Sequence, residues 1–176
     1  YDFTMAFDRE VPLLPVFVWF YILAFPFWAV GYLLATRRGK DMFYRFVATD
    51  LTIHFICFIC FILIPTTNIR PEIAGNTLSE KILALVYSLD GGRSPSNLFP
   101  SIHCYVSWMC WKGVEGSEKV PKWYQRFSLV FAILIIISTQ VLKQHYIVDA
   151  AAALLLVEFF WRFYQKGQRH KWVVHI

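Results

Sequence analysis

The chain has 176 residues, of which 57% are hydrophobic, 19% are aromatic and 16% are charged, and its mean hydropathy is +0.48. About a quarter of the residues of an ordinary soluble domain are charged, so this composition excludes a soluble globular domain and indicates a membrane protein. The net charge of +5 does not require a nucleic-acid partner, because the basic residues flank apolar segments, where anionic lipid headgroups attract them.

Five apolar segments follow one another along the chain, over residues 12–35, 43–64, 101–114, 127–142 and 147–163. Most approach the roughly 20 residues that a membrane-spanning helix needs. The pattern predicts an all-α fold, a polytopic transmembrane helix bundle with about five spans that forms a single domain over residues 1–176. Because Tyr1 is not Met and the residues after it lead directly into a span, we expect one more span upstream and six in the full protein.

The third apolar segment, residues 101–114, is shorter than the others. At about 1.5 Å per residue it does not cross a hydrocarbon core of about 30 Å, so we expect its first residues to lie below the membrane surface. The connector before it, residues 65–100, contains a predicted short helix, Leu78–Leu89, with Thr77 or Ser79 as its cap. Glycine, serine, proline and asparagine then predict turns up to Asn97.

The basic residues predict the orientation of the bundle, because 12 of the 17 lysines and arginines fall in three clusters. The clusters are Arg37, Arg38, Lys40 and Arg45; Lys112, Lys119, Lys122 and Arg126; and Arg162, Lys166, Arg169 and Lys171. Five spans would place all three clusters on one side, which the positive-inside rule makes cytoplasmic. The connector of residues 65–100 is therefore predicted to be extracytoplasmic.

Three polar islands interrupt the apolar sequence: residues 68–71 (Asn-Ile-Arg-Pro), 99–103 (Phe-Pro-Ser-Ile-His) and 143–149 (Lys-Gln-His-Tyr-Ile-Val-Asp). They supply two histidines, an aspartate, a serine, an arginine and a lysine, which are residue types that serve phosphoryl transfer. His145 and Asp149 are four residues apart, so a helix would place them on one face, where the carboxylate can hold the imidazole. An imidazole oriented in this way is a nucleophile.

Some polar and aromatic residues have a structural interpretation instead. A lone histidine in a membrane helix can simply bond to a neighbour, although ionisable residues within membranes mostly have functions. Asp50 and His54, far from the islands, are interpreted as a structural pair, and Glu158 with Arg162 as a helix pair. The tryptophans that we interpret as interfacial belts are Trp19, Trp28, Trp123, Trp161 and Trp172.

The cysteines predict neither disulfides nor a metal site. All four lie within apolar segments, which predicts buried and inert thiols; they are Cys57, Cys60, Cys104 and Cys110. The closest pair, Cys57 and Cys60, lacks polar partners for a metal ion. We therefore expect neither a metal nor another cofactor.

The islands resemble the motifs of the type 2 phosphatidic acid phosphatase superfamily of membrane phosphatases. The pattern of that superfamily is a Lys followed by Arg-Pro, then Pro-Ser-Gly-His, then Ser-Arg followed by a His and, four residues later, an Asp. The corresponding blocks here are residues 63–71, 100–103 and 138–149, and the resemblance extends over about residues 43–163. It implies six core spans, which agrees with a span missing upstream.

The resemblance implies a role for each residue that matches the pattern. His145 would be the nucleophile that takes the phosphoryl group as a phosphohistidine, Asp149 would orient it, and His103 would be the general acid that protonates the leaving oxygen. Arg70 and Ser101 would bind the substrate phosphate, because a phosphoryl group in transfer needs cations and hydrogen-bond donors around its oxygens.

The chain departs from the superfamily pattern at three positions. Leu63 stands where the pattern has Lys, Thr139 where it has Arg, and Ile102 where it has Gly. Two of the three expected cations are therefore absent. We expect Arg93, in the connector, and Lys143, two residues before His145, to bind the substrate phosphate in their place.

The leading hypothesis is a metal-independent lipid phosphatase, a hydrolase of lipid metabolism in the plasma membrane with its active site outside, or on the lumenal face in a eukaryote. Its substrate would be a phospholipid or an isoprenyl phosphate within the membrane. The alternatives are a phosphotransferase of the inositol-phosphoceramide synthase type, with the same intermediate, and a non-catalytic lipid-binding or transport protein. The identity of the lipid and the oligomeric state do not follow from the sequence.

Overall fold

The computed structural model describes residues 1–92 and 94–175, without side-chain detail at 167, 168, 174 and 175. Seven α-helices form in this part of the chain: α1 (Ala6–Glu10), α2 (Val18–Ala35), α3 (Lys40–Leu63), α4 (Leu78–Leu89), α5 (Ile102–Val114), α6 (Lys122–Val141) and α7 (Ile147–Gln165). Short 3₁₀ helices cover Pro15–Phe17, Thr36–Arg38 and Lys166–His175. The described residues contain no β-strand, so the predicted all-α fold is confirmed.

Three helical segments are long and apolar enough to cross a membrane: Pro15–Arg38, Lys40–Leu63 and Lys122–Val141. They make this an integral membrane bundle, as the composition predicts. The other two predicted spans are helices as well, but α5 has only 13 residues, a length of about 20 Å. Helix α7 has 19 residues but carries Asp149, Glu158 and Arg162, which make it less apolar.

Helix α5 lies at the centre of the bundle. It contacts α2, α3, α6 and α7, and Cys104, Tyr105 and Met109 on it are completely buried. The helix as a whole is thereby held between four neighbours. The first turn of α5, which carries His103, lies at the same end of the bundle as the start of α7, because the Ser101 N–H donates a hydrogen bond to the Asp149 carbonyl oxygen, 3.3 Å away.

The connector helix has the bounds and the cap that the sequence predicts. The Thr77 hydroxyl accepts a hydrogen bond from the Glu80 N–H at 3.2 Å, and the Glu80 carboxylate accepts one from the Thr77 N–H at 3.3 Å, which is a capping box. The Tyr87 hydroxyl of this helix donates to the Leu142 carbonyl oxygen at 2.7 Å. The connector is thus held against the loop that precedes α7.

The polar pairs interpreted as structural do have partners within the bundle. His54 lies 3.6 Å from the Asp50 carboxylate, which also accepts a hydrogen bond from the Tyr32 hydroxyl at 2.6 Å. Glu158 lies 3.4 Å from Arg162, but it forms more than the predicted helix pair.

Glu158 also contacts helix α5. Its carboxylate lies 3.0 Å from the Lys112 ammonium and accepts a hydrogen bond from the Trp108 indole at 3.0 Å. The cysteines are free thiols as predicted: three are buried and Cys60 is partly buried.

Helices α2 and α5 approach closely where Gly31 faces Cys110. A Cβ atom on Gly31 would lie 2.6 Å from the Cys110 sulfur and 2.7 Å from its Cβ. Real Cβ atoms do not approach other atoms so closely, so only glycine permits this helix spacing.

We expect Gly31→Ala to lower the melting temperature of the purified protein in detergent. Overpacking a tight core costs about 1–3 kcal/mol, which outweighs the roughly 1 kcal/mol that alanine gains over glycine in a helix. Ala29→Leu is the control, since it adds volume at an exposed position of the same helix and should leave the melting temperature unchanged. An unchanged or raised melting temperature in Gly31→Ala would contradict the close packing.

Candidate active site

The second and third polar islands meet where helices α5 and α7 begin. Ser101 is the N-cap of α5, and its hydroxyl accepts a hydrogen bond from the Cys104 N–H at 3.3 Å. Its own N–H donates to the Asp149 carbonyl oxygen. Ser101 is completely buried, and these two hydrogen bonds join the two helix starts. Its hydroxyl is already used as a cap.

His145 lies just before α7 and not within it. The chain turns after α6, where the Gln144 N–H and the His145 N–H both donate to the Thr139 carbonyl oxygen, at 2.9 and 3.1 Å. Lys143 has a φ of 54° in this turn, a conformation that is uncommon for a residue other than glycine. The sequence predicts that His145 and Asp149 share one face of a helix. In the structure, His145 lies in a turn and Asp149 lies in the first turn of α7.

The imidazole and the carboxylate are nevertheless neighbours. The His145 Nδ1 atom lies 3.4 Å from an Asp149 carboxylate oxygen, and that oxygen accepts a hydrogen bond from the Tyr146 N–H at 2.9 Å. Both side chains are buried, with 8% of His145 and 2% of Asp149 exposed. Within the described structure His145 Nδ1 lacks a partner with hydrogen-bond geometry, so Asp149 approaches the imidazole closely without a well-formed hydrogen bond.

His103 faces His145 across a distance of 6.0 Å between ring centroids. Its ring stacks on Tyr21 at 4.3 Å and lies 5.1 Å from the Trp28 ring. Trp28 was predicted to belong to an interfacial belt, but its indole N–H donates to the Ser107 hydroxyl at 2.9 Å, which holds it inside the bundle. The His103 Nε2 atom is buried and has no hydrogen-bond partner among the described residues.

A cavity of about 250 Å³ lies between the two histidines, helix α2 and the connector. Its described lining consists of Tyr21, Phe25, Trp28, Asp90, Ser96, Asn97, Leu98, Ile102, His103 and His145. Three aromatic rings form one wall and polar connector residues form another, so the cavity suits a polar group attached to an apolar chain. Asp90 is the charged residue of this described lining, which contains neither lysine nor arginine.

Arg70 lies behind this cavity and not in its lining. Its guanidinium is completely buried and donates to the Asp90 carboxylate at 2.5 Å, to the carbonyl oxygens of Asp90 and Gly92 at 2.8 and 3.1 Å, and to the Gln144 side-chain oxygen. It also lies 4.7 Å from the Tyr87 ring. Arg70 therefore joins the connector to the residue beside His145.

The sequence predicts that Lys143 binds the substrate phosphate beside the histidines, but its ammonium has other partners. Its ammonium donates to the carbonyl oxygens of Asp8 and Val11 at 2.7 and 2.5 Å. Burial lowers the pKa of this ammonium, and the nearby Asp8 carboxylate opposes that effect in part. Lys143 lines a second cavity of about 290 Å³ together with Arg70 and Arg9, so its charge lies apart from the two histidines.

The motif comparison also named Arg93, Leu63 and Thr139. Arg93 lies outside the described residues. Leu63, at the end of α3, is 67% exposed, and Thr139 is buried with its hydroxyl bonded to the Ile136 carbonyl oxygen at 2.7 Å. Neither supplies a charge to the site.

Sequence reasoning missed Asp90 and Gln144. Asp90 ends α4 and looks like an ordinary turn residue in the sequence. Gln144 stands between Lys143 and His145 in the third island, and its uncharged side chain gave no reason to select it. Both residues are identified only by their hydrogen bonds with Arg70. In the sequence, Arg70 lies 20 positions from Asp90 and 74 positions from Gln144.

The chain as a whole was compared with known proteins. No curated protein and no protein of known structure matches it. The PAP2 superfamily matches over residues 3–162, a range that contains all three polar islands and the seven helices up to the last turn of α7. The predicted resemblance is thereby confirmed, and this chain belongs to the PAP2 superfamily.

Proposed function

We propose that this protein is a membrane lipid phosphatase that hydrolyses a phosphomonoester or pyrophosphate of an amphiphile through a phosphohistidine. Membership of the PAP2 superfamily supports phosphoester hydrolysis or transfer as the general reaction. The observation that carries the specific proposal is the pair of histidine rings 6.0 Å apart at one cavity, one of them beside a buried carboxylate.

In this mechanism Asp149 lies on the Nδ1 side of His145, which leaves Nε2 as the nucleophile. Nε2 attacks the phosphorus atom, the bond from phosphorus to the lipid oxygen breaks, and His103 donates a proton to that oxygen. Water then attacks the phosphohistidine while His103 takes a proton from it, and the P–N bond breaks to release phosphate. The second step restores both histidines.

The substrate phosphate needs positive charge, and Arg70 is the described cation that contacts a residue of the cavity lining, Asp90. Asp90 lines the histidine cavity and holds one edge of the Arg70 guanidinium. Carboxylate and phosphate oxygens bind guanidinium in the same way. We therefore propose that the substrate phosphate replaces the Asp90 carboxylate on Arg70 when it enters the cavity.

A second candidate is the phosphotransferase, in which a lipid or polyol hydroxyl replaces water in the second step. The absence of lysine and arginine from the described cavity lining favours it, because a phosphodiester carries less negative charge than a phosphomonoester. The third hypothesis, a non-catalytic lipid-binding or transport protein, requires no turnover at all.

Product analysis with a panel of lipids tests these three functions. The panel comprises phosphatidate, phosphatidylglycerophosphate, an isoprenyl pyrophosphate, a sphingoid phosphate and, for transfer, a phosphodiester lipid with a hydroxyl acceptor. Free phosphate supports the hydrolase, and a new phosphodiester supports the transferase. Purified, folded protein that binds these lipids and converts none of them would overturn both enzymatic proposals.

The first prediction from this mechanism concerns the three reacting groups. His145→Ala, His103→Ala and Asp149→Asn should each lose most activity while the protein still folds, and Asp149→Asn should retain the most, because it removes only the orientation of the nucleophile. The measurement is turnover together with the phosphate that stays bound to the protein after quenching in base and is released by acid, because the P–N bond of a phosphohistidine is stable in base and hydrolysed in acid. His54→Ala, a change of a histidine outside the cavity, is the matched control and should remain active. Full activity in His145→Ala would exclude the covalent mechanism.

The second prediction concerns the competition between Asp90 and the substrate. Asp90→Asn should lower KM roughly three- to tenfold, because it removes the carboxylate that the phosphate must displace. Arg70→Lys should lower kcat/KM at least about tenfold, since lysine keeps the charge but loses the planar fork. Glu118→Gln, an exposed carboxylate beyond α5, should change neither constant. A raised KM in Asp90→Asn would mean that Asp90 positions Arg70 for the substrate and does not compete with it.

We further propose that the histidine cavity opens on the extracytoplasmic face, as the distribution of basic residues predicts. Leu89, at the end of α4, is 79% exposed on the side of this cavity, and Glu118 is exposed beyond the opposite end of α5. Asn68, in the first island, is only 1% exposed and is unsuitable as a labelling site.

In intact cells, an impermeant thiol reagent should label Leu89→Cys and leave Glu118→Cys unlabelled until the membrane is opened. The parent protein is the control for its own four cysteines, of which three are buried. The reverse labelling pattern would place the histidine cavity on the cytoplasmic face.

A further inference from the structure

A third cavity, called the basic cavity below, lies at the end of the bundle opposite the two histidines. It has a volume of about 400 Å³ and is formed by the last turns of α5 and α7 with the first turns of α3. Lys112 in its lining is nine residues beyond His103 on the same helix, a distance of about 13 Å along the axis. This basic cavity is therefore separate from the proposed active site.

The lining of the basic cavity carries more positive than negative charge. Its cations are Arg38, Arg45, Lys112 and Arg162, and its carboxylates are Glu115 and Glu158. The two carboxylates are already engaged, because Lys112 lies 3.2 Å from Glu115 and 3.0 Å from Glu158, and Arg162 lies 3.4 Å from Glu158. Neither Arg38 nor Arg45 forms an ion pair with a carboxylate among the described residues.

Arg45 is the most buried of these cations, since only 5% of it is exposed. Its guanidinium stacks on the Trp161 ring at 4.2 Å and donates to the Trp161 carbonyl oxygen at 3.0 Å and to the Gln165 side-chain oxygen at 3.3 Å. Its third contact is the Met42 sulfur at 3.8 Å, which is a weak acceptor. A buried charge with only neutral partners is costly, and an anion in the adjoining cavity would compensate it.

We infer that this basic cavity binds a phosphate group, with Arg45 and Arg38 as its ligands. Arginine matches phosphate oxygens through its planar fork of donors, and the cavity volume exceeds what one phosphate with a small headgroup needs. A groove adjoins the cavity through Glu158 and Arg162, and it is lined by the exposed apolar side chains of Leu155, Phe159 and Phe163. An anionic phospholipid can place its headgroup in the cavity and an acyl chain along this groove.

The test measures binding in the His145→Ala variant, so that it does not depend on catalysis or on the proposed function. The protein is placed in nanodiscs of phosphatidylcholine with and without phosphatidylglycerol, and its melting temperature is compared. Phosphatidylglycerol should raise the melting temperature, because a ligand that binds the folded state stabilises it. A parallel titration of the detergent-solubilised protein with inorganic phosphate distinguishes a free anion from a lipid headgroup.

Three additional substitutions locate the effect. Arg38→Gln and Arg45→Met should each lose at least half of the shift caused by phosphatidylglycerol. Arg37→Gln removes the same charge from the exposed neighbouring position and should keep the full shift. Because Arg45→Met removes a buried group and can prevent folding, Arg38→Gln, at a half-buried position, decides the result in that case.

Each outcome bears on the inference. A shift that depends on Arg38 and Arg45 but not on Arg37 supports a lipid headgroup in the basic cavity. The same dependence with inorganic phosphate alone supports the cavity with a free anion as its occupant. Equal shifts in all variants, or no shift with either probe, would overturn the inference.

Discussion

The buried guanidinium of Arg70 connects the parts of the chain on which the candidate active site depends. It holds the turn at Asp90 and Gly92 on one side and Gln144, the neighbour of His145, on the other. Burying an arginine costs several kcal/mol unless a charge and hydrogen bonds compensate it, and here a carboxylate, two carbonyl oxygens and an amide do so. The connector is therefore fixed by an electrostatic requirement against the turn that carries Gln144 and His145, and it closes one side of the histidine cavity.

The helix starts provide the rest of this arrangement. Helices α5 and α7 both begin at the cavity, and the hydrogen bond from Ser101 to Asp149 holds their first turns together. Helix N-termini carry partial positive charge and unpaired N–H groups. The Asp149 carboxylate lies at the start of α7, where it accepts a hydrogen bond from the Tyr146 N–H at 2.9 Å and lies 3.4 Å from His145 Nδ1.

Local sequence patterns predicted the elements that depend on local interactions. Apolar segments located the helices, and Thr77 was one of the two residues predicted to cap the connector helix. This cap could be predicted because a capping box involves only four neighbouring residues. The position of Lys143 could not be predicted in this way. Its backbone turns with a positive φ, and its ammonium is taken up by carbonyl oxygens from a segment 132 or more residues away.

Local sequence patterns also cannot separate residues of one type that look alike in the sequence but lie in different environments. Trp28 and Trp123 both look like interfacial tryptophans, yet Trp28 packs against His103 while Trp123 is 69% exposed. Arg37 and Arg45 both contribute to the basic cluster that the orientation rule counts, yet only Arg45 is buried. Hydropathy and charge predict the side of the membrane, whereas tertiary packing decides which members of a cluster line a cavity.

The histidine cavity and the basic cavity differ in how their buried arginines are paired. At the histidine end, Arg70 is already paired with Asp90, so in the proposed mechanism an entering phosphate exchanges with a resident carboxylate and gains only the difference between two similar interactions. At the opposite end, Arg45 has only neutral partners among the described residues, so the inferred anion would gain the full compensation of a buried charge. The first arrangement would favour exchange and release, as the proposed turnover requires, and the second would favour retention. The same residue type can therefore serve a transient ligand at one end of the bundle and a resident one at the other.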